Sequence, residues 1–172
     1  MKILALCVRS IYLWAIGVAV GAILACDVLS APVILNAYQY LPSLGITSYD
    51  SGILLGKVYV RFNYMFNGLA ILILIYELLM FNLSSKKSLF SLGMGILSVI
   101  LIFLFTLYYT PAITNIQQEG AAFTGTEEFE NISTQSEIVL NILFVTLSIL
   151  FISRMMSTES LPITKTTRQR KK

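Results

Sequence analysis

Chemistry in this chain has to come from a few polar side chains set into long apolar runs. Asp27, Arg61, Asn63, Asn67 and Asn141 are the candidates, with Thr106 and Thr110 as hydroxyl neighbours and Lys57 as an alternative cation. Counted from the middle of each run at ~1.5 Å per helical residue, Asp27 lies roughly 10 Å toward one face of the bundle, and Asn67 and Asn141 roughly 7–8 Å toward the same face. Asn63 stands one turn above Asn67 on the same side of its helix. If these sides converge, they form one hydrogen-bonded patch around Asp27, with Arg61 or Lys57 as its counter-charge. An ionisable group inside a bilayer costs about 3 kcal/mol on insertion scales, so each needs a partner or a purpose. Two roles fit this patch: interhelical hydrogen bonding at ~0.6 kcal/mol per bond, or a site for a ligand or ion. Glu77 lies toward the opposite face, too far from Asp27 for paired-carboxylate chemistry. Its expected partners are Arg9, Lys86, Lys87 and Arg154, with the carboxylate snorkelling to the interface.

Other chemistries lack their residues. Histidine is absent, which removes the commonest metal ligand and catalytic base. Cys7 and Cys26 lie near opposite ends of one predicted helix, ~28 Å apart, so they form neither a disulfide within a monomer nor a zinc, haem or iron–sulfur ligand set. Ile23-Leu24-Ala25-Cys26 has the outline of a lipobox, but Leu24 is bulky for its slot and three further apolar runs follow; Cys26 reads as a small buried helix residue. Gly93-Met94-Gly95 sits inside a hydrophobic run without a phosphate-contacting lysine, and no Gly-x-Ser-x-Gly elbow occurs. No cofactor and no enzymatic activity are expected. Nor is a nucleic-acid partner, because the basic residues near the C-terminus lack an aromatic platform.

The elements that must position these residues follow from composition and charge spacing. The 172 residues are 56% hydrophobic and only 12% charged, about half the ~25% charged share of an ordinary globular domain. Residues 10–26, 62–76, 88–118 and 138–153 carry no charge. With one flanking ionisable residue allowed for three of them, each run reaches the ~17–20 residues needed to cross a bilayer. None alternates apolar and polar residues, so the backbone must satisfy itself as helix rather than barrel. Prolines, glycines and caps extend the four predicted helices to about 10–41, 48–83, 88–119 and 125–156. Ser48 and a Thr124-Gly125-Thr126-Glu127 box are the expected caps, and Gly120 the expected terminator of the third helix. Pro32 is expected to kink the first helix rather than end it.

Short connections make neighbouring helices antiparallel. The expected fold is therefore all-α, an up-down-up-down four-helix transmembrane bundle over residues 1–156 whose helices outrun the outer face, followed by a disordered basic tail at 157–172. Lys2, Arg9, Lys86, Lys87, Arg154, Lys165, Arg168, Arg170, Lys171 and Lys172 fall on the side of the termini. Only Lys57 and Arg61 fall on the other, so both termini are expected in the cytoplasm, with the protein in the plasma or bacterial inner membrane. The lipid bilayer is the first partner. A Gly17, Gly21, Ala25 stripe on the first helix serves packing within the monomer or a homodimer seam, and another membrane protein is the remaining option.

Several short motifs carry a family likeness: Ala31-Pro32, Gly52, Val58-Tyr59-Val60-Arg61-Phe62, Tyr108-Tyr109-Thr110-Pro111, then Phe129, Ser136 and Asn141. Over most of residues 10–155 the chain resembles the transmembrane-protein-205-like family, also called domain of unknown function 4149, small four-helix integral membrane proteins. A histidine that the family often has shortly after the phenylalanine is replaced here by Ile132-Ser133, so no metal or haem role is carried over. The resemblance implies a polytopic membrane protein without an assigned reaction. Function then reads as a non-enzymatic binding or assembly component. The alternative is a small solute, ion or proton-coupled transporter that uses the polar cluster around Asp27.

Overall fold

The computed structural model describes residues 2–83 and 88–156; Lys86-Lys87 and the basic 157–172 segment lie outside the described residues. Every long element is helical. Helix α1 spans Lys2–Ile23 and continues through a π-helical stretch, Leu24–Ser30, into Ala31–Leu35. A short helix, Ala37–Tyr40, and a 3-10 turn, Pro42–Leu44, lead to α2, Ser48–Leu83. Helix α3 comprises Leu89–Phe103, a second π-helical stretch, Leu104–Tyr109, and Thr110–Glu119; α4 is Glu127–Met156. At 36 residues, α2 is roughly 54 Å long, well beyond the ~30 Å hydrocarbon core.

Local chemistry sets the ends. Thr47, rather than Ser48, caps α2: its Oγ1 accepts from Asp50 N (3.2 Å), while Thr47 N donates to Asp50 Oδ2 (2.8 Å). This reciprocal pair satisfies two otherwise orphaned groups. Ser88 caps α3 by accepting from Ser91 N. In α4 the cap is Thr126, whose Oγ1 accepts from Phe129 N. Thr124 instead bonds back to Ala121 O, so the helix starts two residues later than the sequence pattern implies. Gly120 follows α3 with φ +119°, a backbone region that favours glycine. Helix α1 loses its register at Asn36, whose Nδ2 folds back onto Pro32 O at 2.8 Å.

Each helix contributes one fully buried stripe. Tyr12 and Ile16 of α1, Phe66 and Ile73 of α2, Ile102 of α3, and Leu143, Leu147 and Leu150 of α4 meet at the centre. Contacts between neighbours run in reverse chain order. Tyr12 meets Glu77 while Asp27 meets Tyr59, and Asn67 meets Thr106 while Tyr49 meets Gln117. The end that carries Arg9, Leu83, Leu89 and Met155 is called basal below, and the end with the 41–47 and 120–126 loops apical. Outside the core stripe the helices stay apolar: Trp14, Ile71, Leu79, Ile142 and Ile152 are all exposed. Four helices long and apolar enough to span a membrane, with apolar residues on their outer as well as their inner faces, are stable with lipid as the surrounding solvent. The chain is a multi-pass membrane protein with an all-α bundle.

Candidate functional site

The five polar residues singled out in the sequence divide into three environments. Asn63 and Asn67 do meet the third helix. Thr106 Oγ1 donates to Asn67 Oδ1 (2.8 Å), Asn63 Nδ2 donates to Thr106 O (3.2 Å), and Thr110 Oγ1 shares its hydrogen between Asn63 Oδ1 (3.3 Å) and Phe105 O (3.0 Å). Asp27 joins a different partner, accepting from the Tyr59 hydroxyl at 3.1 Å. Arg61 and Asn141 are exposed on the outside of the bundle, and so is Lys57. Arg61 sits two residues from Tyr59, roughly 200° around the helix, so turning Tyr59 toward Asp27 turns Arg61 away. Asn141 follows the buried Leu140 by about 100° and misses the core in the same way.

Two prolines build this level of the bundle. Each π-helical stretch ends two residues before a proline, Pro32 or Pro111. In π register Ala31 N donates to Cys26 O and Thr110 N to Phe105 O. The next donors would be residues 32 and 111, which as prolines have no N–H. On α3 the carbonyl so deprived belongs to Thr106, and Asn63 supplies its hydrogen. A buried carbonyl is thus satisfied by a side chain from the neighbouring helix. Ser30 and Thr110 close each wide turn by donating to the carbonyl five residues back, Ala25 O at 2.8 Å and Phe105 O at 3.0 Å. In α1 the corresponding carbonyl is that of Asp27, and among the described residues no side chain donates to it.

Above these turns all four helices part around a cavity of about 540 Å³, within the range of small-molecule sites. Asp27 and Pro32 line it from α1, Tyr49, Gly52 and Tyr59 from α2, Phe105 and Gln117 from α3, and Phe129, Ser133 and Glu137 from α4. Gln117, which sequence reasoning missed at the end of its helix, is 8% exposed. Its Nε2 donates to Gly52 O at 3.1 Å and its backbone carbonyl accepts from Tyr49 Oη. A Cβ at Gly56 would stand 2.7 Å from Gln117 Oε1, so glycine there lets the amide lie flat on α2.

Among the described residues the basal half is packed around Glu77 instead. Glu77, expected to snorkel, is 1% exposed. It pairs with Arg154, which donates through both Nε and Nη2, and it accepts from Tyr12 Oη at 2.7 Å. Tyr76 stacks on Tyr12 with ring centres 3.7 Å apart, and the Arg154 guanidinium lies over the Tyr76 ring. Gly95 of α3 closes the fourth side: a Cβ there would come within 2.6 Å of Glu77 Cγ. Arg9 donates to Arg154 O at 2.8 Å and to Met155 O. Burial this complete is tolerated because every charge has a hydrogen-bonded partner. Gly17 of the small-residue stripe packs near Phe151 of α4, whereas Gly21 has open space beside it.

Among the described residues no three His, Cys, Asp or Glu side chains converge as a metal cage. The sequence matches the model of a family described as Domain of unknown function (DUF4149) over residues 14–122. That is more than half of the chain, and it takes in Asp27, Tyr59, Asn63, Glu77 and Gln117. No curated protein and no solved structure matches the sequence. With four apolar helices and this match across the first three of them, the chain belongs to the DUF4149 family of membrane proteins.

Proposed function

We propose that the protein is a binding component of the plasma or bacterial inner membrane, holding a small molecule in the apical cavity, with both termini in the cytoplasm. The observation that carries this reading is the contrast between an apical cavity lined from all four helices and a basal half closed by Tyr12, Glu77, Gly95 and Arg154. A pocket closed at its inner end supports holding a ligand over forming an open conduit. The orientation is supported by the excess of Lys and Arg on the side of the termini. The apical face is then the outer one, and the cavity is reached from outside the cell.

The test fills the cavity. Ser133→Trp places an indole in the space from the rim of α4. Purified wild-type protein is expected to retain a small molecule detectable by mass spectrometry after mild denaturation, and Ser133→Trp to lose it while keeping its unfolding midpoint. Equal retention by both proteins would contradict the reading. Reconstituted vesicles address the transporter alternative: no solute or proton flux is expected, and flux abolished by Asp27→Asn would favour transport instead.

A further inference from the structure

The two ends of the bundle use the same motif, a tyrosine hydroxyl of one helix donating to a carboxylate of the other across the α1–α2 seam. At the basal end Tyr12 donates to Glu77 and Arg154 supplies the cation. At the apical end Tyr59 donates to Asp27 Oδ1, and none of the residues lining the cavity is Lys or Arg. The second carboxylate there, Glu137, adds negative charge rather than balancing it. Low-dielectric walls make that imbalance felt more strongly than it would be in water.

Hydrogen-bonding capacity is equally one-sided. Tyr59 gives its hydrogen to Asp27, Tyr49 to Gln117 O, Ser136 to Ser133 O and Thr124 to Ala121 O. The Gln117 amide nitrogen faces Gly52 O and its oxygen lies beside Gly56 on the cavity wall, and no hydrogen bond among the described residues uses Oε1. Asp27 Oδ2 and Glu137 are likewise uncommitted acceptors, and among the described residues the lining donors to spare are the hydroxyls of Ser48 and Ser133 and the second amide hydrogen of Gln117. Aromatic rings complete the wall: Tyr59 and Phe105 meet edge to face at 5.7 Å, with Tyr49 also on α2 and Phe129 on α4. Such rings attract cations. With only two carboxylates, the set suits an organic cation better than a divalent metal ion, which takes six or more oxygen ligands or is bound with waters and phosphates.

We infer that the apical cavity binds a primary ammonium compound with a flat apolar body, its ammonium group donating to Asp27, Glu137 and Gln117 in the place that Arg154 occupies at the basal end. The inference rests on the cavity being a ligand site and names the ligand's class. The test is ligand-observed NMR on the full-length protein in nanodiscs with three probes sharing one ring: tryptamine, neutral tryptophol and anionic indole-3-acetate. Tryptamine is expected to bind most tightly, and Asp27→Asn and Glu137→Gln each to weaken it about tenfold without changing tryptophol. Glu137 is exposed, so Glu137→Gln keeps the test usable should Asp27→Asn fold poorly. Tryptophol or indole-3-acetate binding as well as tryptamine, insensitive to both variants but abolished by Ser133→Trp, would overturn the ammonium assignment and leave the cavity reading standing. Binding by none of the three would overturn both.

Discussion

The basal and apical halves of the bundle begin from the same pair of groups and reach opposite ends. Tyrosine donates to carboxylate at 2.7 Å in one and 3.1 Å in the other, with the two helices exchanging roles. At the basal end a guanidinium fills the remaining valences and a glycine lets the third helix close over the carboxylate. At the apical end two proline-linked wide turns spread the helices, and no cation arrives. A charge buried with all its partners is structural, whereas a charge left beside a cavity with spare acceptors is available for binding. The partner set, not the residue type, separates the two.

Removing a carboxylate should separate the halves most widely. Glu77→Ala leaves Arg154 buried without its anion and is expected to cost ~3–5 kcal/mol of unfolding free energy. Asp27→Ala is expected to cost no more than about 1 kcal/mol, the loss of one half-exposed hydrogen bond. Denaturant titration in matched detergent measures both, and equal losses would erase the distinction. Glycine contacts come next. Gly95→Ala drives a methyl into Glu77 Cγ, held between two partners, at an expected ~1–3 kcal/mol. Gly56→Ala meets only the far end of Gln117, which can swing into the cavity, and should cost under about 1 kcal/mol.

Hydroxyl deletions sharpen the same contrast on a smaller scale. Tyr12→Phe leaves a buried carboxylate short of one donor and should cost ~1–2 kcal/mol, against about 0.5 kcal/mol for Tyr59→Phe. Between the two halves, Asn63→Ala deprives the Thr106 carbonyl of its donor and should cost ~1 kcal/mol. Asn141→Ala, on the outer face, should change stability by less than about 0.5 kcal/mol. Thermal unfolding of the pairs side by side checks both differences.

Much of the architecture was legible in the sequence, because charge-free runs and terminators are one-dimensional signals. Residues 48–83 and the stop at Gly120 follow from capping chemistry and backbone freedom alone. The meeting of Asn63 and Asn67 with Thr106 and Thr110 follows from their similar depth. Azimuth was not legible. In lipid the outer face of a helix is as apolar as its core face, so the pattern that orients a helix in water is missing. Arg61 and Asn141 therefore have the right height but point the wrong way for the patch. The same ambiguity let Glu77 pass for a snorkelling residue. Pro32 and Pro111 were visible, but not the wide turns before them or the carbonyl that Asn63 repairs. Gln117 gave no signal beyond its place near a helix end; a polar residue three before a terminating glycine reads as solvated.

Reagent access to the two halves tests the account most directly. In protein whose Cys7 and Cys26 are replaced by alanine, a single cysteine is introduced at Ser133, on the cavity wall, or at Ser91, buried at the basal end. The account predicts that the residue-133 thiol reacts with methanethiosulfonate reagents, faster with the ethylammonium form than with the ethylsulfonate form, and that the residue-91 thiol reacts with neither. Equal labelling at the two positions, or a residue-133 thiol that prefers the sulfonate, would contradict an open, anionic apical site above a sealed basal one.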